Sequence, residues 1–382
     1  MRLLFDARAY GQKNGIGRYT TELLNNLYRL IRTNKPIDKF ILLASAENFD
    51  DLNRFTDEKI SIIITKSRWY SLAEQLEIPR LINKLQPDLI HFPHLNAPLA
   101  TTAPFIITVH DLTMTKFPNS EASTLPDFFY WSKYWALRFL TWVNVHRAKK
   151  IITVSNFVKN DLLATYSLNE NKVAVIYEAT KPMQVMEVKR TYPVLLYIGA
   201  TYPHKSVDDL ITAAISLKNN FPTLQLWLVV PDDFFTARLK QKFSESELNN
   251  LCHFFHGIDD NFLSKLYQQT WIVVQPSQSE GFGFQLLEAW SNKTAVACSD
   301  AGSLPEIAGE AAAIFPVNDI SAIIKILKTL LTNEGERFSL VNLGTKRLNE
   351  FSWDKTAQKT LSVYINHAEK TSQTNTTEEV GS

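Results

Sequence analysis

Two glutamates eight residues apart, Glu280 and Glu288, have the chemistry and spacing to bind a polyhydroxylated ligand. They lie in PSQSEGFGFQLLEAW, where a buried strand is predicted to end at Gln275, followed by a glycine loop and a helix. Helical side chains lean toward the helix N-terminus, so the Glu288 carboxylate should approach the loop. Two carboxylates would repel a phosphate, but each can accept hydrogen bonds from a vicinal diol. The motif therefore predicts a site for sugar hydroxyls.

The loop between these glutamates offers backbone groups to the same ligand. Its residues are Gly281, Phe282, Gly283 and Phe284. Glycine lets the backbone approach a ligand closely. The unpaired amides at a helix start favour a phosphate or a polarised sugar oxygen. We therefore expect all four residues to contact the ligand.

Positive charge for a diphosphate is predicted to come from Lys205, in LLYIGATYPHKSVDDLITAA. A strand is expected to end before Gly199, and a helix is expected to start after Ser206, its predicted N-cap. Lys205, with His204 beside it, would place charge next to the anion-favouring end of that helix. A surface lysine that binds no ligand is the alternative.

A second phosphate-facing candidate follows the first predicted strand, in YGQKNGIGRYT. Its residues are Gly15, Ile16, Gly17 and Arg18. The glycines would permit a tight approach and the arginine would add charge. Because a lone Gly-x-Gly is weak evidence, an ordinary turn is the alternative.

Three histidines and an aspartate end two neighbouring predicted strands. His110, followed by Asp111, could hydrogen-bond a sugar hydroxyl or act as an acid or base, although such a histidine is often structural. His91 and His94 are predicted to line the same cleft. The chain has no Asp-x-Asp triplet of the kind that holds a nucleotide-bridging cation. No metal or cofactor is therefore predicted.

Short apolar runs alternate with amphipathic stretches, which predicts an α/β fold with parallel sheets. Ligands in such folds lie beyond the carboxyl ends of strands, where these motifs occur. The polar segment 179–193 divides the pattern. We expect an N-terminal domain over 1–178, a C-terminal domain over 179–351, a helix over 352–370 and a disordered tail over 371–382. Predicted strands are 3–6, 39–44, 60–65, 89–92, 105–109, 150–154, 173–176, 194–198, 225–230, 252–255, 272–275, 295–298 and 313–315.

Composition excludes several classes of protein. The 382 residues are 45% apolar and 21% charged, with a net charge of +1, which favours a globular chain of two domains and no nucleic-acid partner. The two cysteines have no motif around them, and the N-terminus lacks the apolar core of a signal peptide. The sequence therefore predicts a cytoplasmic protein.

An aromatic segment, FFYWSKYWALRFLTWVNVH over 128–146, is about as long as a membrane span. It contains Lys133 and Arg138, each costing roughly 2.5–3.5 kcal/mol near the centre of a spanning helix. We predict no transmembrane helix there. A helix packed on its domain is one interpretation; the other is peripheral contact with the inner face of the membrane or with a lipid-linked substrate.

Together the motifs resemble glycosyltransferase family 4, retaining enzymes with the two-Rossmann-domain GT-B fold. The resemblance runs from FDARAYGQKNGIGRYT through ITVHDL, LLYIGATYPHKS and VQPSQSEGFGFQLLEAW to FSWDKTAQKTLSVY. It implies two domains that face a cleft. Within the family, the motifs resemble those of bacterial mannosyltransferases.

The resemblance implies a role for each motif. Glu288 would bind the nucleotide ribose and Glu280 the transferred sugar, with Lys205 on the diphosphate. His110 would face the donor sugar near the reacting carbon, and the backbone near Ile258 would meet the base. The C-terminal helix would cross back onto the N-terminal domain.

Two departures from the family pattern concern the donor. His204 stands where an arginine is usual, and histidine is only partly charged at neutral pH. Pro231 stands where a glycine is common, which bears on the base contact. We expect hexose transfer, with retention and without a metal, from GDP-mannose or next a UDP-sugar to a glycan or lipid-linked glycan. A sugar-nucleotide epimerase and a catalytically impaired binding protein are the alternatives.

Overall fold

The structure is a computed structural model that describes residues 1–33, 37–116, 126–181 and 190–379, with side chains described to residue 367. The chain divides into two compact units. Unit 1 comprises Met1–Leu112, Ser132–Glu178 and Trp353–Ser382, and unit 2 comprises Thr113–Trp131 and Ala179–Ser352. Part of the boundary segment predicted from the sequence, residues 182–189, lies outside the described residues.

In the described part of unit 1, seven strands form one parallel sheet in the order β3-β2-β1-β4-β5-β6-β7. The apolar side chains of the five inner strands are all buried, as expected for strands covered on both faces, whereas Ile64 in an edge strand is 46% exposed. The strands are β1 Arg2–Asp6, β2 Lys39–Ser45, β3 Ile60–Thr65, β4 Leu89–Phe92, β5 Phe105–Val109, β6 Lys150–Thr153 and β7 Val173–Val175.

Unit 2 has a six-stranded parallel sheet among its described residues, in the order β10-β9-β8-β11-β12-β13. The predicted fold class is confirmed, and each of the predicted strands is present with ends within about one residue. The strands are β8 Val194–Ile198, β9 Gln225–Val229, β10 Cys252–Phe255, β11 Ile272–Gln275, β12 Ala295–Ser299 and β13 Ala313–Phe315.

Helices connect the strands of both units. Those of unit 1 include α1 Gly15–Thr33, α2 Phe49–Asn53, α3 Leu72–Leu85 and α6 Asn156–Tyr166. Two further described helices lie between α3 and α6 in the sequence: α4 Thr113–Lys116 and α5 Asp127–Arg147. Those of unit 2 are α7 Val207–Lys218, α8 Phe234–Lys240, α9 Glu245–Leu251, α10 Asp260–Gln269, α11 Phe284–Ser291, α12 Leu304–Ala308, α13 Ile320–Thr332 and α14 Glu334–Arg347.

The last helix, α15 Trp353–Glu379, belongs to unit 1 and packs on α1. Its buried residues include Tyr364 and Thr360, and the Trp353 ring contacts the Tyr19 ring at 6.1 Å. The helix continues past Thr371, where the sequence predicts disorder. The final part of that predicted tail, residues 380–382, lies outside the described residues.

Strand order fixes where each unit can bind a ligand. In unit 2 the chain runs outward from β8 to β10 and then restarts with β11 on the other side of β8. In unit 1 the same reversal falls between β1 and β4. The loops that follow such a pair of strands diverge and leave a crevice at the carboxyl edge of the sheet.

Within the described residues, no helix combines the length and the apolar character needed to cross a lipid bilayer.

Candidate active site

Lys205 and Glu280 meet at the strand-order reversal of unit 2. Lys205 follows β8 on a short 3-10 turn, and Glu280 follows β11. Lys205 Nζ donates to Glu280 Oε1 at 2.7 Å, and their side chains are 18% and 12% exposed. The sequence placed both residues in one site, and the structure brings them into direct contact.

The Glu280 carboxylate is held through one oxygen and leaves the other available. Oε1 also accepts from Ser277 Oγ at 2.7 Å and from Gln275 Nε2 at 2.8 Å. Oε2 receives no hydrogen bond from any residue that the structure describes. Burial alone would raise the pKa of Glu280, but the Lys205 charge and these hydrogen bonds together lower it. Glu280 is therefore an oriented carboxylate with one oxygen ready to accept from a hydroxyl.

The loop that carries Glu280 is fixed from behind by Gly302 and Ser303. The Ser303 amide and hydroxyl both donate to the Glu280 carbonyl at 3.0 Å, and the hydroxyl also contacts the Phe282 carbonyl at 2.9 Å. Gly302 has φ +65°, and a Cβ there would lie 2.6 Å from the Glu280 nitrogen. Only glycine fits this position, because the backbone of the Glu280 loop occupies the space of a side chain.

Hydrogen bonds from Gln278 and Gln285 join the loops after β8 and β11. The Gln278 amide donates to the His204 carbonyl at 2.8 Å, and Gln278 Nε2 donates to Ser206 Oγ at 3.0 Å. Gln285 Nε2 donates to the Ile198 carbonyl at 3.3 Å. These bonds hold Lys205 against the Glu280 loop.

Ser206 corrects one local prediction. It occupies the N-cap position of α7, but its φ of 48° and ψ of 38° are left-handed and its side chain makes no capping hydrogen bond. The hydroxyl is instead the acceptor for Gln278. Ser206 therefore bonds the neighbouring loop through Gln278 and does not cap α7 with its side chain.

Glu288 lies in α11 and is 4% exposed. Its Oε2 accepts a hydrogen bond of 2.6 Å from the hydroxyl of Tyr267, a fully buried residue of α10. A buried tyrosine needs a polar partner, so this bond anchors α11 to α10. The predicted contact between Glu288 and a ribose diol stays a prediction.

The other predicted donor-side residues of unit 2 lie at the same edge of its sheet. Gly199 directly follows β8 with φ +148°, and Gly283 precedes α11 with φ +98°, so both positions favour glycine. The His204 ring stacks on Tyr202 at 5.9 Å. Ile258 is half-buried in the loop between β10 and α10.

The glycines of the first loop differ from one another. The Gly17 amide donates to Asn14 Oδ1 at 2.7 Å, and a Cβ on Gly17 would lie 2.3 Å from the Gln12 carbonyl oxygen. Gly15 begins α1, is exposed, and has nothing within 4 Å of a Cβ position. Gly17 is thus needed for the turn, whereas Gly15 leaves open space. Ile16 and Arg18 between and after them are half-buried.

In unit 1, His110 stands directly after β5 between two hydrogen-bond acceptors. Nδ1 lies 3.0 Å from Glu178 Oε1, and Nε2 lies 2.9 Å from the Pro93 carbonyl oxygen. Burial acts to lower the pKa of His110, but the hydrogen bond and charge of Glu178, with Pro93 and Asp111, raise it overall. Asp111 itself is exposed.

The other two histidines are in different settings. His94 is half-buried, with its ring stacked between Trp69 at 5.7 Å and His110 at 6.4 Å. Tyr70 Oη is 2.9 Å from His94 Nδ1. Burial, and secondarily the His110 charge, lowers the pKa of His94 to about 4. His94 is therefore a neutral ring stacked beside His110.

His91 is not at a surface, in contrast to its predicted position in a cleft. It is fully buried inside unit 1, where Nε2 is 2.9 Å from Thr108 Oγ1 and Nδ1 is 2.5 Å from the Tyr364 hydroxyl. Burial lowers its pKa to about 3. The physical reason is that β4 is a central strand, and α15 covers the face to which His91 points.

In the part of α5 that belongs to unit 1, Thr141 and Asn144 are buried, and three aromatic residues are exposed. Asn144 Nδ2 donates to the carbonyls of Leu95 and Ala97 at 2.8 and 2.9 Å. Trp135, Phe139 and Trp142 share the opposite face and are 61%, 58% and 51% exposed. The aromatic face is therefore not a packing surface within the described part of unit 1.

Sequence inspection did not single out several residues that hold the site. They are Gln275, Ser277, Tyr267, Ser303 and Glu178. Their types are common at loops and strand ends, and only the fold brings them to the motif residues. The described residues contain no group of three or more His, Cys, Asp or Glu side chains that could hold a metal ion.

Two family models match consecutive parts of the chain. Residues 13–181 match Glycosyltransferase Family 4, and residues 180–347 match Glycosyl transferases group 1. Together the two models cover residues 13–347, most of the chain, so the chain belongs to the glycosyltransferase family that they describe.

Individual proteins agree with this. An O-antigen chain mannosyltransferase of Salmonella typhimurium is 29% identical over 232 residues, which are 61% of this chain and 62% of the relative, less than two thirds of its length. An O-antigen chain mannosyltransferase of Escherichia coli is 23% identical over 92% of this chain and 95% of the relative. The crystal structure of Anabaena HepE in complex with UDP and glucose has a TM-score of 0.72, with 14% identity over 96% of this chain and 100% of HepE. This likeness confirms the GT-B fold.

Proposed function

We propose that the protein transfers a hexose from a nucleotide-diphosphate sugar to a hydroxyl of a glycan or lipid-linked glycan, with retention at the anomeric carbon and without a metal. GDP-mannose is the first candidate donor, because the relatives above are mannosyltransferases. A UDP-sugar is the second, because HepE has the same fold and its structure contains UDP and glucose.

The Lys205–Glu280 contact is the observation that carries this proposal. Glu280 offers Oε2 to a sugar hydroxyl, while its other oxygen is saturated by three donors. Lys205 Nζ has three hydrogens and uses one on Glu280, so the others can bind a diphosphate. A carboxylate stabilised this strongly is a poor nucleophile, which favours a hydroxyl-binding role over a covalent intermediate.

The proposed reaction is a front-face displacement. The bond between the anomeric carbon and the diphosphate oxygen breaks, and a bond to the acceptor oxygen forms on the same face. The acceptor proton passes to the leaving diphosphate. Lys205 stabilises the charge that develops on the leaving group, and Glu280 orients the sugar.

Binding measurements test the donor assignment. Saturating GDP-mannose should raise the unfolding temperature, because a ligand at 100 times its dissociation constant stabilises the folded state by about 2.7 kcal/mol. UDP-glucose, GDP and UDP are the comparison ligands. Lys205→Met should reduce the shift with the preferred donor. If no nucleotide sugar raised the unfolding temperature, the proposal would fail.

Product analysis tests the reaction itself. NMR of the product with a synthetic glycan acceptor should show the anomeric configuration of the donor, and an inverted product would refute retention. Incubation with donor alone is the control for the epimerase alternative. An isomerised nucleotide sugar without acceptor would overturn the transferase proposal for this substrate.

We also propose peripheral membrane contact through the outward aromatic face of α5. Trp135, Phe139 and Trp142 project from one side of the helix, and Arg138 lies over the Trp135 ring at 5.6 Å. Aromatic rings flanked by cations are suited to the headgroup region of an anionic bilayer. Such contact would bring the enzyme to a lipid-linked acceptor.

Liposome flotation tests the membrane proposal. The protein should float with vesicles that contain phosphatidylglycerol, and a Trp135→Ser, Phe139→Ser, Trp142→Ser variant should stay at the bottom. Phe338→Ser, at a 67% exposed aromatic of α14, is the matched control. Equal flotation of the triple variant and the control would contradict this role, and self-association without lipid would indicate a protein interface instead.

A further inference from the structure

Glu178 is a buried acid that neither the motifs nor the family resemblance singles out. It lies in the loop after β7, and its side chain is 2% exposed. The adjacent Tyr177 is held on both sides, since Thr356 Oγ1 of α15 donates to its carbonyl at 2.6 Å and Asn156 Nδ2 donates to its hydroxyl at 3.0 Å. The loop is therefore fixed, and the Glu178 carboxylate is aimed at His110 Nδ1.

The two contacts of His110 decide its protonation. The Pro93 carbonyl can only accept, so Nε2 must carry a hydrogen to make its 2.9 Å bond. The ionised Glu178 carboxylate can also only accept, so Nδ1 must carry a hydrogen as well. A ring with hydrogens on both nitrogens is an imidazolium. A neutral His110 could make only one of these bonds with an ionised Glu178.

The other groups around His110 are compatible with a single positive charge. Asp111 is adjacent in sequence and adds negative charge. Tyr19 of α1 meets the ring edge-on at 4.7 Å, and burial holds the Tyr19 hydroxyl in its neutral form. His94 and the more distant His91 stay neutral because burial lowers the pKa of both. Glu178 is thus the buried counter-charge in contact with the ring.

We infer that Glu178 is a positioning residue that holds His110 as an imidazolium, so that His110 serves the transfer reaction as a cationic hydrogen-bond donor and not as a base. This inference rests on the proposed function and on the position next to the donor sugar that the family resemblance implies for His110. The Nε2 hydrogen that now binds Pro93 is the one that a sugar oxygen would receive. The proton of the acceptor then has to leave with the diphosphate, as in the proposed displacement.

Histidine NMR tests the inference without substrate or turnover. Isotope-labelled protein, with the His110 resonance assigned by loss in His110→Gln, should show both ring nitrogens protonated at pH 7. In Glu178→Gln the titration midpoint of His110 should move to lower pH. The control Glu170→Gln removes an exposed acid of unit 1 that pairs with Lys159, and should leave the midpoint unchanged. A neutral His110 at pH 7 in the unaltered protein would overturn the inference.

The pH profile of transfer links this charge to function. Glu178→Gln should lower kcat/KM by about 10- to 100-fold at pH 8, the loss that follows removal of a carboxylate that orients a metal-binding histidine. The loss should shrink as the pH falls and His110 regains its proton, which a purely structural defect would not reproduce. A pH-independent loss would contradict the inference. If the protein had no transferase activity with any donor, only the proposed function would fall, because the NMR result stands apart from it.

Discussion

The two units place ion pairs at equivalent points of their sheets, but the pairs differ in exposure. In unit 2, Lys205 and Glu280 follow the two strands at the order reversal and are 18% and 12% exposed. In unit 1, Arg8 follows β1 and contacts Asp6 at 2.6 Å and Glu74 at 2.7 Å, and all three are at most 3% exposed. Strand order alone would suggest a ligand site at both places.

The difference lies in the carboxylate oxygens that are still able to accept a hydrogen bond. Glu74 uses both oxygens on Asn96 Nδ2, at 2.9 and 2.8 Å, besides accepting from Arg8. Burial acts to lower the pKa of Arg8, but Asp6 and Glu74 reverse this and raise it. Glu280, by contrast, keeps one oxygen available. We infer that the Arg8 cluster stabilises unit 1, and we propose the Lys205–Glu280 pair as the ligand site.

Arg8→Met should have the largest effect on stability. Removing one member of a buried ion pair leaves uncompensated charge and typically costs about 3–5 kcal/mol. Urea denaturation should show this loss, whereas Arg29→Met, at an exposed arginine of α1, should change the free energy of unfolding by under about 0.5 kcal/mol. An Arg8→Met protein of normal stability with impaired transfer would reverse our assignment and make the cluster a ligand site.

Lys205→Met should have the opposite profile. Loss of a charge that stabilises the leaving group typically costs about 10²–10³-fold in rate. The free energy of unfolding should fall by less than in Arg8→Met, because Lys205 and Glu280 are 18% and 12% exposed whereas the members of the Arg8 cluster are at most 3% exposed. Lys242→Met is the matched control, since Lys242 pairs with Asp208 at 2.6 Å in the same unit but at 53% exposure. Transfer by Lys205→Met at near the unaltered rate would disprove the assignment.

The strands around the Arg8 cluster and around the Lys205–Glu280 pair are predicted well from the sequence, for a physical reason. Strands buried on both faces are short continuous apolar runs with a turn or a helix start at each end. Their ends can therefore be predicted from the sequence. Glu280 and Lys205 could be found because each follows such a run. The contact between them depends on β8 and β11 being neighbours in the sheet. Strand order cannot be predicted from the local sequence pattern.

What the sequence could not predict depends on tertiary packing. His91 looks like a strand-end ligand, but Tyr364 reaches it from a helix 273 residues away. Glu178 and Tyr267 carry no local signal, since their partners are His110, directly after β5, and Glu288 of α11. The sequence predicts α5 as an aromatic helix. Only the buried positions of Thr141 and Asn144 in the structure show that its aromatic face points outward.

Acid should weaken unit 1 through its neutral histidines. The pKa values of His91 and His94, about 3 and 4, lie below the usual value near 6.5. Their contribution is present above about pH 6.5 and is lost as the pH falls toward the folded values, at up to about 1.4 kcal/mol per pH unit for each histidine. His110 has the opposite sign, because its raised pKa adds stability that is lost as the pH rises through it.

Urea denaturation at pH 7.5 and 5.5 measures this effect. His91→Gln removes one buried titrating group, so its free energy of unfolding should fall less between the two pH values than that of the unaltered protein. His253→Gln, at an exposed histidine of unit 2, is the control and should keep the full pH dependence. Identical pH dependence in all three proteins would show that His91 is not the source.

The smallest expected effect concerns Gly15 in the first turn of α1. This residue tests whether unit 1 contributes to phosphate binding besides unit 2. Gly15→Ala adds a methyl group in open space, and alanine in a helix should gain about 0.5–1 kcal/mol over glycine. If the loop approaches the diphosphate as the sequence predicts, that methyl group occupies the ligand's space and the KM for the donor should rise several-fold. Gly17→Ala is the contrasting variant, because its Cβ would lie 2.3 Å from the Gln12 carbonyl oxygen and should destabilise the fold. A more stable Gly15→Ala protein with unchanged KM would mean that this loop is an ordinary turn, and that unit 2 alone binds the phosphates.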